Sequence, residues 1–123
     1  MKISILSIGQ FRKNDPNQQL FLEYKKRLSW KVELKELELK KGNQSSLQGE
    51  ALKIKEGQLL LSCVPASAKI IALDEGGKIF SSIEFANVIQ NYNNQGNSNL
   101  AFIIGGADGL SLEVRKKADL ILS

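Results

Sequence analysis

Two glycine-containing segments have residue types and spacing that suit ligand binding. The segment DEGG (74–77) follows the apolar run KIIAL, and the segment GGADG (105–109) follows the apolar run LAFII. Glycine lets the backbone approach a ligand closely and adopt positive φ. In open parallel sheets, ligands bind beyond the carboxyl ends of the strands. The two segments therefore form the candidate site, and a pair of tight strand-to-helix turns without a ligand is the structural alternative.

The spacing of the glycines does not match the common nucleotide-binding motifs. The order after residue 104 is GGxxG rather than GxGxxG, and no Gly-Lys-Ser or Gly-Lys-Thr follows it. A pyrophosphate cradle is therefore not predicted. Asp74 and Glu75 could act as a catalytic pair, but adjacent residues in a turn usually point apart. We interpret both as solvated turn residues.

Composition excludes several kinds of chemistry. The 123 residues contain no histidine and one cysteine, Cys63, which rules out histidine-based nucleophile activation, a zinc site and an internal disulfide within this sequence. The formal net charge is +4, which favours anionic partners without requiring them. No apolar run approaches the roughly 20 residues that a bilayer span needs. We expect a soluble, cytoplasmic protein with no membrane or metal partner.

Basic residues beside the candidate site have two possible roles. Lys53 and Lys55 lie on a predicted helix, and residues 115–117 (RKK) come just after the second glycine segment. A run of charged residues usually forms a solvated face. The position of residues 115–117, beside the candidate site, would also suit a contact with phosphate. Phe80 and Phe85 are the aromatic residues near the first segment that could stack a base.

The elements that position these segments alternate between strand and helix. Apolar patterns predict strands at 1–8, 30–39, 68–73, 100–104 and 120–122, the second with a bulge or bend because its alternation shifts by one residue. Helices are predicted at 16–28, through 52–63 up to Pro65, from Ser81 through Tyr92, and after Ser111. Residues 40–46 and 91–99 are predicted as polar loops. This order indicates one α/β domain over 1–123, with a mainly parallel sheet and helices on both faces.

Several segments together resemble a known family. They are MKISILSIG at the start, EYKKRL, KEGQLLL, ALDEGGKIFSSIEFA and FIIGGADGL, in that order along the chain. This sequence resembles the SPOUT-class 23S rRNA pseudouridine N3-methyltransferases, the RlmH family. The similarity covers nearly the whole chain, and its LDxxGKxxSSxxFA and IGGxxGL segments are specific to that family.

The resemblance implies a SPOUT (α/β knot) fold, S-adenosylmethionine as cofactor, large-subunit rRNA in the ribosome as substrate, and a homodimer. In the family, three loops of a C-terminal trefoil knot hold the cofactor. By family position, Leu73 and Gly105 would contact it. The third loop would begin after Ser123, so the C-terminal knot segment is expected to be missing from this chain, and the resemblance identifies no catalytic residue. The alternative is a truncated, inactive α/β remnant that acts at most as a binding or dimerisation module.

Overall fold

The described residues form a five-stranded parallel sheet flanked by helices. The computed structural model describes residues 2–9, 31–39, 49–79, 81–105 and 109–122. Within these ranges the elements are β1 (Lys2–Ile8), β2 (Lys31–Leu37), α1 (Gly49–Ser62), β3 (Lys69–Lys78), α2 (Ser82–Asn94), β4 (Asn99–Ile104), α3 (Leu112–Lys117) and β5 (Leu120–Leu122). The strand order is β2-β1-β4-β3-β5, and every neighbouring pair is parallel. The predicted fold class is confirmed. The helix predicted at 16–28 and the loop predicted at 40–46 lie outside the described residues.

The bulge predicted in the second strand is wrong. β2 pairs with β1 in an unbroken register from Lys31 opposite Lys2 to Leu37 opposite Ile8. Leu37 and Leu39 together suggested the shift in alternation, but the strand ends at Leu37 and Leu39 lies beyond it. β2 is the last strand on its side of the described sheet, where burial constrains alternation less than in a central strand.

One face of the sheet is covered by α1 and α3. Its core consists of fully or almost fully buried residues from the strands, both helices and the segment before α3: Leu6, Leu60, Ala72, Ile103, Leu110 and Val114. Burying a leucine or valine side chain contributes about 1.5–3 kcal/mol. This cluster therefore fixes α1 and α3 against the central strands.

The opposite face is covered by α2. Phe85, Ile89 and Tyr92 pack against a buried cluster that contains Ile71 and Leu100. The rings of Phe85 and Phe102 meet edge to face, with centroids 5.9 Å apart. Helices therefore lie on both faces, as the alternation of strands and helices predicted.

The ends of α2 are defined by specific hydrogen bonds. The Ser81 hydroxyl accepts from the Glu84 amide at 3.1 Å, and the Glu84 carboxylate accepts from the Ser81 amide at 3.3 Å, which confirms the predicted capping box. The helix continues to Asn94, so the prediction that a polar loop starts at residue 91 is wrong. Its end is set by Gly96, whose φ of +87° allows the Gly96 and Asn97 amides to donate back to carbonyls of the last turn.

Asp119 fixes the start of the short strand β5, which pairs with β3 from Leu120 to Leu122. The Asp119 amide donates to the Ile70 carbonyl, and the Asp119 carboxylate accepts from the Ile70 amide, both at 2.8 Å. The Lys69 ammonium lies 3.9 Å from the same carboxylate. Asp119 thus sets the position at which β5 begins.

None of the helices described is both long and apolar enough to cross a bilayer. Within the same residue ranges, histidine, cysteine and acidic side chains form no group of three or more that could hold a metal ion.

Candidate functional site

The two residues predicted to bind a ligand lie side by side. Leu73 on β3 is paired with Ile104, the last residue of β4, and Gly105 directly follows Ile104. Leu73, Ile104 and Gly105 are all partly exposed. Because β3 and β4 are parallel, both residues lie at the carboxyl edge of the sheet, where ligands bind in folds of this class.

Gly105 allows a close approach of the chain to itself. A Cβ placed on Gly105 would lie 2.8 Å from the Gly109 carbonyl oxygen and 2.8 Å from Leu110 Cδ2. Leu110 is 5% exposed and belongs to the core. The absence of a side chain at Gly105 is therefore required by the fold itself, and only the backbone of this residue is left to contact a ligand.

The predicted end of the third strand is wrong. β3 does not stop at Leu73 but continues to Lys78, with an irregularity in its pairing: Leu73 and Lys78 both lie opposite Leu122. A Cβ on Gly77 would lie 2.6 Å from the Leu122 carbonyl carbon and 2.8 Å from that of Ile121. The sequence signal at Gly77 therefore marks a bulge packed closely against β5 rather than a free turn.

Asp74 is not the solvated turn residue that we predicted. Its side chain is 13% exposed, and its carboxylate accepts a hydrogen bond from the Arg115 guanidinium of α3. Arg115 was also a candidate for a phosphate contact, but it is engaged by Asp74. This ion pair joins the segment 74–77 to α3, the helix that follows the second glycine segment.

The other basic residues have mixed environments. Lys53 pairs with Glu50 at 3.1 Å one helical turn away, and Lys117 lies 4.0 Å from Glu113 on α3. Lys55 and Lys116 are exposed. Both predicted roles for these residues, a solvated face and a phosphate contact, are compatible with such positions.

Neither aromatic residue near the first segment gains support as a stacking platform. Phe85 is engaged with Phe102 in the packing of α2 on the sheet. Phe80 lies outside the described residues.

Perturbed acid–base groups occur away from the carboxyl edge. The hydrogen bond and charge of Lys2 lower the pKa of Glu33, near the beginnings of β1 and β2. Burial, and secondarily the charge of Asp119, raise the pKa of Tyr92 near the end of α2. No general base at the candidate site is indicated by these two shifts.

Comparison with known proteins identifies the family. The family model described as "Predicted SPOUT methyltransferase" matches residues 1–123. The chain belongs to the SPOUT methyltransferase family. It is 42% identical over 123 residues to "Ribosomal RNA large subunit methyltransferase H" of Rhodospirillum centenum, covering 100% of this chain and 78% of that protein. The identically named proteins of Paramagnetospirillum magneticum and Halothermothrix orenii are 42% and 41% identical, with 78% and 79% of their lengths covered and the whole of this chain matched.

These relatives place the chain in the ribosomal RNA large subunit methyltransferase H family, as the sequence motifs predicted. The chain is thus an enzyme of the SPOUT methyltransferase class. The sequence did not reveal the ion pair between Asp74 and Arg115. Opposite charges 41 residues apart carry no local signal until the sheet brings them together.

Proposed function

We propose that this protein transfers a methyl group from S-adenosylmethionine to N3 of a pseudouridine in 23S rRNA. The observation that most directly supports this proposal is that Leu73 and Gly105 lie next to each other at one edge of the sheet. These are the two residues that family position assigns to the cofactor. The proteins it resembles are named as methyltransferases of large-subunit ribosomal RNA, which supports the substrate class.

The residues at this edge fit the cofactor in two respects. Leu73 offers a partly exposed apolar side chain suited to an adenine or ribose face, and Gly105 offers backbone without a side chain. We assign both to cofactor binding. When bound, S-adenosylmethionine would supply an electrophilic methyl group.

The chain must also favour loss of the N3 proton. An imide nitrogen is largely protonated at neutral pH. A base has to remove this proton, or a nearby positive group has to stabilise the anion that its loss creates. Arg115 lies near this edge, but its charge is compensated by Asp74. We therefore assign no catalytic base among these residues.

Two further expectations accompany the proposal. A homodimer would follow from the family resemblance, and a cytoplasmic location would suit a ribosomal substrate. The net charge of +4 is favourable for approach to rRNA, and association should weaken as salt increases.

The function is tested by methyl transfer to ribosomes. The full chain is incubated with methyl-labelled S-adenosylmethionine and ribosomes that carry the unmodified pseudouridine, and the label is mapped in 23S rRNA. Label should enter at N3 of that pseudouridine, and ribosomes already methylated there should accept none. Absence of label, with binding of S-adenosylmethionine retained, would refute the activity and leave a binding module.

A further inference from the structure

We propose that the ion pair between Asp74 and Arg115 positions the cofactor site, by holding the backbone directly after Leu73 at a fixed distance from α3. The inference rests on the proposed function and deepens it. Asp74 directly follows Leu73, and Arg115 belongs to the helix that the second glycine segment enters. The ion pair is therefore a polar contact between the residue that follows Leu73 and the helix that follows the second glycine segment.

The backbone of Arg115 belongs to a helix whose start is buried and capped. Ser111, the N-cap of α3, is 1% exposed, and Val114 in its first turn is 0% exposed. The Ser111 hydroxyl caps the helix by accepting from the Val114 amide at 3.3 Å, and the Arg115 amide donates to the Ser111 carbonyl at 3.1 Å. The backbone of Arg115 is thus fixed by the core, and only its side chain reaches outward.

The Asp74 end lies where β3 becomes irregular. Pairing with β5 is regular up to Leu73 and resumes only at Lys78, so the backbone between them is not fixed by a regular ladder. An ion pair at Asp74 supplies a constraint at the first residue of that interval. Leu73 itself is paired with Ile104 on one side and with Leu122 on the other, so the ion pair constrains the backbone directly after it.

The environment makes this pair stronger than an ordinary surface pair. The Asp74 side chain is 13% exposed and that of Arg115 is 43% exposed. Partial burial reduces screening by solvent and salt, and a guanidinium matches a carboxylate in geometry. By contrast, Lys117 and Glu113 lie 4.0 Å apart on the surface of α3, with 60% and 49% exposure, and join no separate elements.

The test compares cofactor affinity in four variants of the full chain. These are Arg115→Met, Asp74→Asn, the double variant and Arg115→Lys, with Lys117→Met as a matched control that removes one positive charge from the same helix. Titration calorimetry with S-adenosylmethionine is performed at a temperature where each variant is fully folded. A contact that only stabilises the fold would lower Tm without changing Kd under these conditions.

Each single variant should bind S-adenosylmethionine about tenfold more weakly, and the double variant no more weakly than either, since the two residues act as one unit. Arg115→Lys should recover most of the affinity, and Lys117→Met should bind like the unmodified chain. Unchanged Kd in Arg115→Met, or additive losses in the double variant, would overturn the inference while leaving the proposed function intact. Failure of the unmodified chain to bind S-adenosylmethionine would overturn both.

Discussion

Leu73 lies directly opposite Ile104 on the neighbouring parallel strand, so Gly105 begins its segment one residue beyond the level of Leu73. This register determines where the candidate site can be. A side chain at Gly105 would enter the space held by the Gly109 carbonyl and Leu110, and backbone atoms cannot move aside cheaply. The geometry of the carboxyl edge therefore depends on glycine at this position.

Gly105→Ala should abolish or severely weaken binding of S-adenosylmethionine, because the segment after β4 must shift. Gly96→Ala is the matched control: its φ of +87° makes alanine strained, at a cost of about 1–2 kcal/mol, but Gly96 precedes β4 at the opposite edge of the sheet. Calorimetry should show lost affinity only for the first variant, and chemical denaturation should show that both are destabilised. Equal cofactor affinities for the two variants would contradict the assignment.

The contact between α1 and α3 should be intolerant of a larger residue at Gly57. A Cβ there would lie 2.5 Å from Ser111 Oγ and 3.0 Å from Val114 Cγ2. Gly57→Ala should lower the free energy of unfolding by about 1–3 kcal/mol, despite the better helix propensity of alanine. Urea denaturation measures the change.

A double variant checks the cause of that loss. Ser111→Ala alone should cost about 1 kcal/mol as the loss of an N-cap. Combined with Gly57→Ala, the total should be smaller than the sum, since the hydroxyl that clashes is gone. Strict additivity would show that the two residues do not interfere.

The capping box of α2 should contribute measurably to stability. Ser81→Ala removes the hydroxyl that accepts from the Glu84 amide and should cost about 1 kcal/mol. Ser62→Ala is a suitable control, because its exposed hydroxyl contacts only local groups, the Leu59 carbonyl and the Cys63 sulfur, and its loss should change stability by less than about 0.5 kcal/mol. Equal costs in thermal unfolding would argue against the cap.

Stability should fall at alkaline pH through Tyr92. Burial, followed by the charge of Asp119, raises the pKa of this phenol, so the neutral form is favoured in the folded state. Its contribution is fully present below the usual tyrosine pKa of about 10 and is lost as pH rises through the higher folded pKa. Urea midpoints between about pH 8 and 11 should fall more steeply for the unmodified chain than for Tyr92→Phe. If the urea midpoints of both proteins fell equally with pH, ionisation of Tyr92 would not contribute to the loss of stability.

Local patterns in the sequence predicted much of the fold. Ser81 with Glu84 and Ser111 marked helix starts, and the apolar run before Gly105 marked β4, because these signals involve residues a few positions apart. The predicted end of α2 came too early, because the asparagine and glutamine residues after position 90 suggested a loop. The helix instead ends just before Gly96, where backbone amides donate to carbonyls of the last turn.

Long-range relationships were beyond the sequence patterns. The sequence pattern predicted a free turn at Gly77, yet this residue packs against β5, which lies more than 40 residues later in the chain. Asp74 read as solvated, yet it meets Arg115. For the candidate site, the position of Leu73 beside Gly105 followed once parallel strands were predicted, whereas the contacts that fix both segments depend on tertiary packing.

The most direct test of the account is a map of amide NMR shifts in the isotopically labelled full chain on addition of S-adenosylmethionine. The largest shifts should occur at Leu73, Asp74 and Gly105, where the pairing of β3 with β4 ends. Lys69 and Asn99, at the beginnings of the same strands, should shift little. Shifts concentrated at those beginnings, or no shifts at saturating cofactor, would contradict a cofactor site at this edge.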